Sequence, residues 1–133
     1  MTRTNIPNQL LTRISDASSK DFTRYAIFTL SVDDISVKRI FNTFRADLKK
    51  VGISGKHKLV WFRCGKFITV LVSGTPAITN YVFSFVAKGK QRKLFKGGDV
   101  VFEGVSLYKF KDETAKLLKL YSVPSSKHGY GGN

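Results

Sequence analysis

The fold class is decided by residues 57–73, whose sequence is HKLVWFRCGKFITVLVS. Residues 57–64 and 66–73 are rich in β-branched and aromatic side chains, which is typical of strands. Cys64 and Gly65 between them predict a tight hairpin turn, because glycine accepts a positive φ. Strands joined by so short a turn pair antiparallel. An antiparallel hairpin within a mixed order of strands and helices indicates the α+β class.

The segment before this hairpin predicts a strand followed by a helix. Residues 22–32 alternate between two faces, as a strand does. Residues 34–51 place apolar side chains at spacings of three and four, which predicts an amphipathic helix. Asp33 and Asp34 suit the start of that helix, and Gly52 is a natural stop.

The segment after the hairpin carries conflicting patterns. Thr75 and Gly89 favour a helix over residues 77–88, as start and stop, but the aromatic and β-branched content of this stretch favours a strand. We expect a short turn of helix that runs into a strand. Residues 100–110 alternate again and predict a further strand, and residues 112–121 predict a last helix.

These elements predict a single α+β domain over residues 22–121. We expect a mostly antiparallel sheet of four or five strands, with two main helices, at about 34–51 and 112–121, on one face. Residues 1–21 read as a partly ordered polar arm, and residues 122–133 as a flexible Gly/Ser tail.

Composition excludes several classes of protein. The chain has 133 residues, of which 42% are hydrophobic, so it can bury a core. We expect no transmembrane segment, because no apolar run approaches 18 residues, and the N-terminal residues lack the apolar core of a signal peptide. One cysteine, Cys64, forms no internal disulfide, which favours an intracellular location (cytoplasm or nucleus) or a virion.

Charge is the abnormal feature of this sequence. The formal net charge is +14, and residues 52–98 hold nine cations and no acid. Soluble surfaces normally mix both signs, and a segment of one sign repels itself unless an anion binds. A nucleic-acid partner explains this charge better than a surface that only maintains solubility, and an anionic membrane surface is the lesser alternative.

Two stretches carry the candidate binding residues. The first is a glycine-bounded basic loop at 88–98, in which Phe95 either stacks a base or anchors the loop. The second is the hairpin, where Trp61 lies on one face with Arg63 and is either a stacking platform or a core residue. The predicted nucleic-acid-binding residues are Lys49, Lys50, Lys56, Lys58, Trp61, Arg63, Lys66, Lys88, Lys90, Arg92, Lys93 and Lys96.

Catalytic chemistry is not expected. The acids do not cluster as a two-metal nuclease requires, and the glycines do not form a phosphate-binding loop. Cys64 and His57 lack an orienting acid, so a Cys–His site is not credible, and we expect His57 to be exposed beside two lysines. One cysteine and two histidines cannot form a four-ligand zinc site. We therefore expect no catalytic residue, no metal and no cofactor.

The sequence predicts a non-catalytic nucleic-acid-binding protein. Lysine outnumbers arginine 16 to 7, which favours contact with phosphates over base readout, so we expect RNA or single strands bound largely without sequence specificity. The composition also fits a small viral coat or nucleocapsid-like protein, in which exposed aromatic residues would serve contacts within a homo-oligomer. The alternatives are a ribosomal or ribonucleoprotein component, a membrane-surface matrix-type protein, and a viral accessory protein.

Overall fold

A computed structural model describes residues 22–31, 37–64, 67–121 and 128–132. The elements are β1 (Arg24–Ser31), α1 (Val37–Lys50), β2 (Lys58–Cys64), β3 (Phe67–Gly74), α2 (Pro76–Gln91), β4 (Gly97–Gly104), α3 (Leu107–Tyr121) and β5 (His128–Gly132). The strands form one sheet in the order β4-β1-β3-β2-β5, and every neighbouring pair is antiparallel. The predicted α+β class, the antiparallel sheet and the strand–strand hairpin are confirmed.

The sheet is covered on both faces, and its inner strand β1, which lies between β4 and β3, is apolar on both sides. Phe28 faces a core that includes Ile40 and Phe44 of α1 and Phe85 of α2. Its neighbour Ile27 points the opposite way, into a second core with Phe110 of α3. The prediction that the first and last helices share one face is therefore wrong. Consecutive apolar residues in a strand indicate burial on both faces.

Residues 77–88 are helical throughout, and the predicted change into a strand is wrong. The helix α2 begins at Pro76 after Thr75 in the N-cap position, as the sequence indicated. Its buried side chains include Ile78, Val82 and Phe85, which are spaced at three and four residues and face α1 and the sheet. This packing outweighs the strand propensity of the β-branched and aromatic residues. The domain consequently has three helices in its described part instead of two.

The predicted strand over 100–110 is too long. The strand β4 ends at Gly104, and α3 begins at Leu107, before the predicted start at 112. Ser106 explains the earlier start, because its Oγ accepts a hydrogen bond from the Lys109 N–H at 3.2 Å. A serine side chain in this arrangement caps the first turn of a helix.

Several predicted features lie outside the described residues. These are the polar arm at 1–21, the capping residues Asp33 and Asp34, and Gly65 in the hairpin turn. Part of the predicted flexible tail is instead placed in the sheet, since His128–Gly132 forms β5 and pairs with β2.

Candidate nucleic-acid interface

The outer face of α1 carries exposed cations in its first and last turns. Ile40, Phe44 and Leu48 turn inward to the core, and the helical period leaves the polar residues on the opposite side. A shallow groove of about 450 Å³ runs along this side. Its lining consists of Lys38, Arg39, Asn42, Thr43 and Ala46.

The one acid of α1, Asp47, does not contribute to that outer face. Its carboxylate accepts hydrogen bonds from Arg92 Nη1 at 3.1 Å and Nη2 at 2.8 Å, and a third from the Tyr81 hydroxyl at 3.2 Å. The side chain is nearly buried, and the Arg92 guanidinium holds the pKa of this carboxyl below its ordinary value despite the opposing effect of burial. The acid therefore ties α1 to α2 instead of neutralising the outer surface.

The helices α1 and α2 end in the same backbone geometry. At the end of α1, the Gly52 N–H donates to Lys49 O and the Ile53 N–H donates to Leu48 O, with φ of Gly52 at 80°. At the end of α2, the equivalent bonds run from Lys93 to Lys90 and from Leu94 to Gly89. Both are Schellman turns, which satisfy the last carbonyls of a helix. In the second turn the left-handed position is held by Lys93, with φ 57°.

The Asp47–Arg92 ion pair brings these two helix ends together. The exposed lysines in the last turns of the two helices and just after α2 form a group that we call the helix-end patch, consisting of Lys49, Lys50, Lys88, Lys90 and Lys93. All five belong to the predicted binding residues. Cations in the last turn of a helix also stabilise its dipole, but only by about 0.3–1 kcal/mol each. That role does not require a lysine at Lys93, which lies beyond the end of α2.

The predicted basic loop at 88–98 is shorter than expected. Lys88 and Lys90 belong to the last turn of α2, and β4 begins at Gly97. Phe95 is buried against Phe85, with ring centroids 6.0 Å apart, so it anchors the loop and does not offer a face for stacking. Lys96 is exposed at the end of this loop.

The hairpin residues do not join the helix-end patch. Trp61 is half-buried and packs against the core beneath α1 and α2, as expected of a core residue rather than of a stacking platform. Arg63 is half-buried, and strand alternation places it on the same face as Trp61. Lys58 lies on the opposite face, in register with Ser73. Lys66 lies outside the described residues.

The connection between α1 and β2 holds one exposed and one buried predicted residue. Lys56 is exposed, as expected. The expectation of an exposed His57 is wrong, since this side chain is 3% exposed and meets the Phe44 ring edge-on, with centroids 6.2 Å apart. Burial, together with the nearby Arg45 cation, lowers the His57 pKa.

Sequence reasoning missed Lys38, Arg39 and Arg45 as binding candidates. The binding residues are predicted from the acid-free interval between Asp47 and Asp99, and these three cations precede that interval. Their spacing on the outer face of α1 was visible in the sequence. The sequence does not show that the Asp47 side chain turns away from this face, because its orientation depends on a partner 45 positions away in the chain.

The helices on the two faces of the sheet differ in their acids more than in their cations. The helices α1 and α2 with the connections that follow them (37–57 and 76–96) hold eleven cations and one acid. The helix α3 on the other face holds four cations and two acids. In the part of the chain that the structure describes, the remaining ion pairs join Arg24 to Glu103 and Lys116 to the two acids of α3, and no carboxylate pairs with the helix-end patch.

Within the described ranges, no three His, Cys, Asp or Glu side chains are grouped so that they could hold a metal ion. None of the described helices combines the length and the apolar character needed to cross a membrane. No protein-family model, no curated protein and no solved structure matches the chain.

Proposed function

We propose that this protein binds nucleic acid without catalysis. The phosphate backbone of RNA or of a single strand lies along the outer face of α1 and across the helix-end patch. The observation that carries this proposal is the excess of eleven cations over one acid in the layer formed by α1, α2 and their following connections. Such a one-sided field attracts a polyanion and is costly to maintain without one.

The chemistry of the surface favours backbone contact over base recognition. Eight of the eleven cations are lysines, which act as flexible point charges. The helix-end patch consists of lysines alone, and the guanidinium of the neighbouring Arg92 is occupied by Asp47. Bidentate readout of guanine is best made by the planar fork of a guanidinium held in a fixed orientation. Binding is therefore largely independent of sequence.

The conformation of Lys93 gives independent support. A non-glycine residue in the left-handed region costs about 1 kcal/mol, and α1 avoids this cost with Gly52 at the equivalent position. Strained residues of this kind concentrate at functional sites. A ligand-binding charge explains why a lysine occupies a position that glycine fits better.

Within this class, a packaging role as a small viral coat or nucleocapsid-like protein is the specific function that we favour. Exposed apolar side chains occur away from the helix-end patch, at Val101 on the edge strand β4 and at Val105 and Tyr108 at the start of α3. Exposed apolar residues outside the polyanion site are available for contacts between subunits. Sedimentation with and without RNA tests this role, because a coat protein assembles into defined oligomers and a ribonucleoprotein component stays monomeric.

The decisive experiment measures affinity for single-stranded RNA, duplex RNA and anionic vesicles over a series of salt concentrations. The test variant is Lys38→Gln/Lys49→Gln on α1, and the matched control is Lys109→Gln/Lys111→Gln on α3, with the same change in charge. We expect the test variant to reduce the slope of log affinity against log salt by about 1.4 for a single strand, at about 0.7 per phosphate. Equal slopes for both variants, or tighter binding to vesicles than to RNA, would contradict the proposal.

A further inference from the structure

A distinct pocket lies where α1 ends and the chain turns toward β2. Its volume is about 350 Å³, at the small end of the range of about 300–1,000 Å³ for ligand pockets. The residues that line it are Arg45, Leu48, Lys49, Ile53, Ser54, Gly55 and His57. No acid is among them.

The Schellman turn at Gly52 builds this pocket. Its outer hydrogen bond, from the Ile53 N–H to Leu48 O at 2.8 Å, draws Ile53 back over the last turn of the helix. An apolar contact between these two positions accompanies this type of turn. Leu48 and Ile53 therefore supply an aliphatic wall, and Lys49 lies next to them in the last turn of α1.

The polar part of the pocket lining consists of two cations and a hydroxyl group. Arg45 is held in place from its own helix, since Nη1 donates to Asn42 Oδ1 at 3.3 Å and the guanidinium lies 6.0 Å from the centre of the Phe41 ring. Lys49 and Ser54 are exposed at the rim. The pocket thus has a cationic side, formed by Arg45 and Lys49, and a weakly polar side, formed by Leu48, Ile53 and the buried imidazole of His57.

We propose that this pocket holds one nucleotide of the bound strand, with its phosphate against Arg45 and Lys49 and its base on Ile53, above the buried Leu48 and His57. This inference rests on the proposed function and assigns a specific position on the basic surface. Each nucleotide of a strand carries a flat, weakly polar base near a phosphate. The cations of this pocket complement the phosphate, and its apolar residues complement the base.

The helix end opposes an anion only weakly. The C-terminus of a helix carries about half a negative charge, against two full positive charges on Arg45 and Lys49. Burial and the Arg45 cation keep the pKa of His57 low, so the imidazole presents no third charge near neutral pH. A bound phosphate beside Arg45 would offset that cation and raise the His57 pKa, which gives a spectroscopic readout at the pocket itself.

The test uses uridine 5′-monophosphate with the full chain, followed by amide and imidazole NMR signals. We expect shifts confined to the pocket residues, a raised His57 pKa in the complex, and weaker binding of inorganic phosphate and of uridine. Lys49→Gln should weaken binding about tenfold, as expected for one charge-assisted hydrogen bond. The control Lys109→Gln on α3 should leave the affinity unchanged, and both lysines are exposed, so the variants keep the fold.

The outcomes separate this inference from the proposed function. Equal binding of phosphate and the nucleotide, shifts elsewhere on the surface, or an equal effect of the two variants would each overturn the nucleotide pocket. If a 20-residue single-stranded RNA still binds through α1 while the mononucleotide does not, the pocket fails and the proposed function stands. If the mononucleotide binds in the pocket but the RNA binds no tighter, the pocket stands and strand binding fails.

Discussion

Asp47 and Arg92 form a two-point ion pair, with Oδ1–Nη1 and Oδ2–Nη2 distances of 3.1 and 2.8 Å, that joins the last turn of α1 to the residue after α2. A bidentate pair fixes orientation as well as distance. It therefore sets how the two helix ends lie against each other, and it turns the acid of α1 inward. The lysines on both sides of the pair are left facing outward.

Replacing Asp47 by Asn should destabilise the protein at neutral pH. The variant loses charge-assisted hydrogen bonds to Arg92 and Tyr81, which we expect to lower the free energy of unfolding by about 1–3 kcal/mol. Urea denaturation at about pH 7 measures this difference. Asp99→Asn is the control, since Asp99 is an exposed acid on β4, and it should change stability by less than about 0.5 kcal/mol.

The same pair predicts an acid dependence. Because Arg92 lowers the Asp47 pKa in the folded protein, its stabilisation is complete above the unfolded value of about 3.9 and is lost as pH falls through the folded value. The difference between wild type and Asp47→Asn should therefore shrink below about pH 4. A constant difference down to about pH 2 would show that the ionised carboxylate does not stabilise the fold.

Arg92 should differ from its lysine neighbours in its effect on RNA binding. Lys90→Gln/Lys93→Gln removes two outward charges and should lower the salt slope for a single strand by about 1.4. Adding Arg92→Gln should change the slope little but reduce stability, because that guanidinium already binds Asp47. Filter binding over a salt series and urea denaturation measure the two effects. A slope change of about 2.1 for the triple variant would mean that Arg92 contacts phosphate.

Substitutions at Lys93 and at Gly52, its equivalent at the end of α1, test whether Lys93 strengthens RNA binding at a cost in stability. Lys93→Gly should raise the free energy of unfolding by about 1 kcal/mol, since glycine accepts φ 57°, and should weaken RNA binding by one phosphate contact. Gly52→Lys is the reverse change, at φ 80° with no atom within 4 Å of an added Cβ, so only the backbone cost applies. It should destabilise by a similar amount. An unchanged stability for Lys93→Gly would refute this explanation of the turn.

Local sequence patterns predict the elements in which one local signal dominates. The apolar residues of α1 recur at spacings of three and four, β1 alternates, and β2 and β3 are rich in β-branched and aromatic residues. The helix α2 is predicted only as a short helical turn that runs into a strand, since Val82, Phe83 and Val86 favour a strand locally and only packing on α1 and the sheet decides between the two.

The candidate site, like the fold, was predictable from the sequence only in part. The absence of acids between Asp47 and Asp99 is enough to predict the lysines of the helix-end patch. It could not show that Arg92 is occupied, that His57 is buried, or that the basic surface extends back to Lys38. These features depend on contacts between residues that are far apart in the chain, of which the Asp47–Arg92 pair is the clearest case.

Gly89 should tolerate no side chain. A Cβ at this position would overlap the Phe95 ring, and Phe95 is buried in the core. Gly89→Ala should therefore displace the ring and destabilise by about 1–3 kcal/mol, as overpacking does. The control is Gly97→Ala, where an added Cβ meets nothing within 4 Å, and it should be neutral or slightly stabilising. Thermal unfolding compares the two, and similar melting temperatures would contradict the close contact.

The buried His57 should make the fold less stable in mild acid. Its pKa in the folded protein is lowered, chiefly by burial, so the unfolded chain takes up a proton first as pH falls below about 6.5. The stability due to neutral His57 is complete above that value and is lost as pH falls through the folded pKa. Urea denaturation between about pH 7.5 and pH 5 should show this decrease in the free energy of unfolding. The variant His57→Gln cannot titrate at this position, so its free energy of unfolding should not show the decrease, even if the variant is less stable at every pH. An imidazole NMR titration locates the folded pKa directly, and a value at or above about 6.5 would refute the prediction.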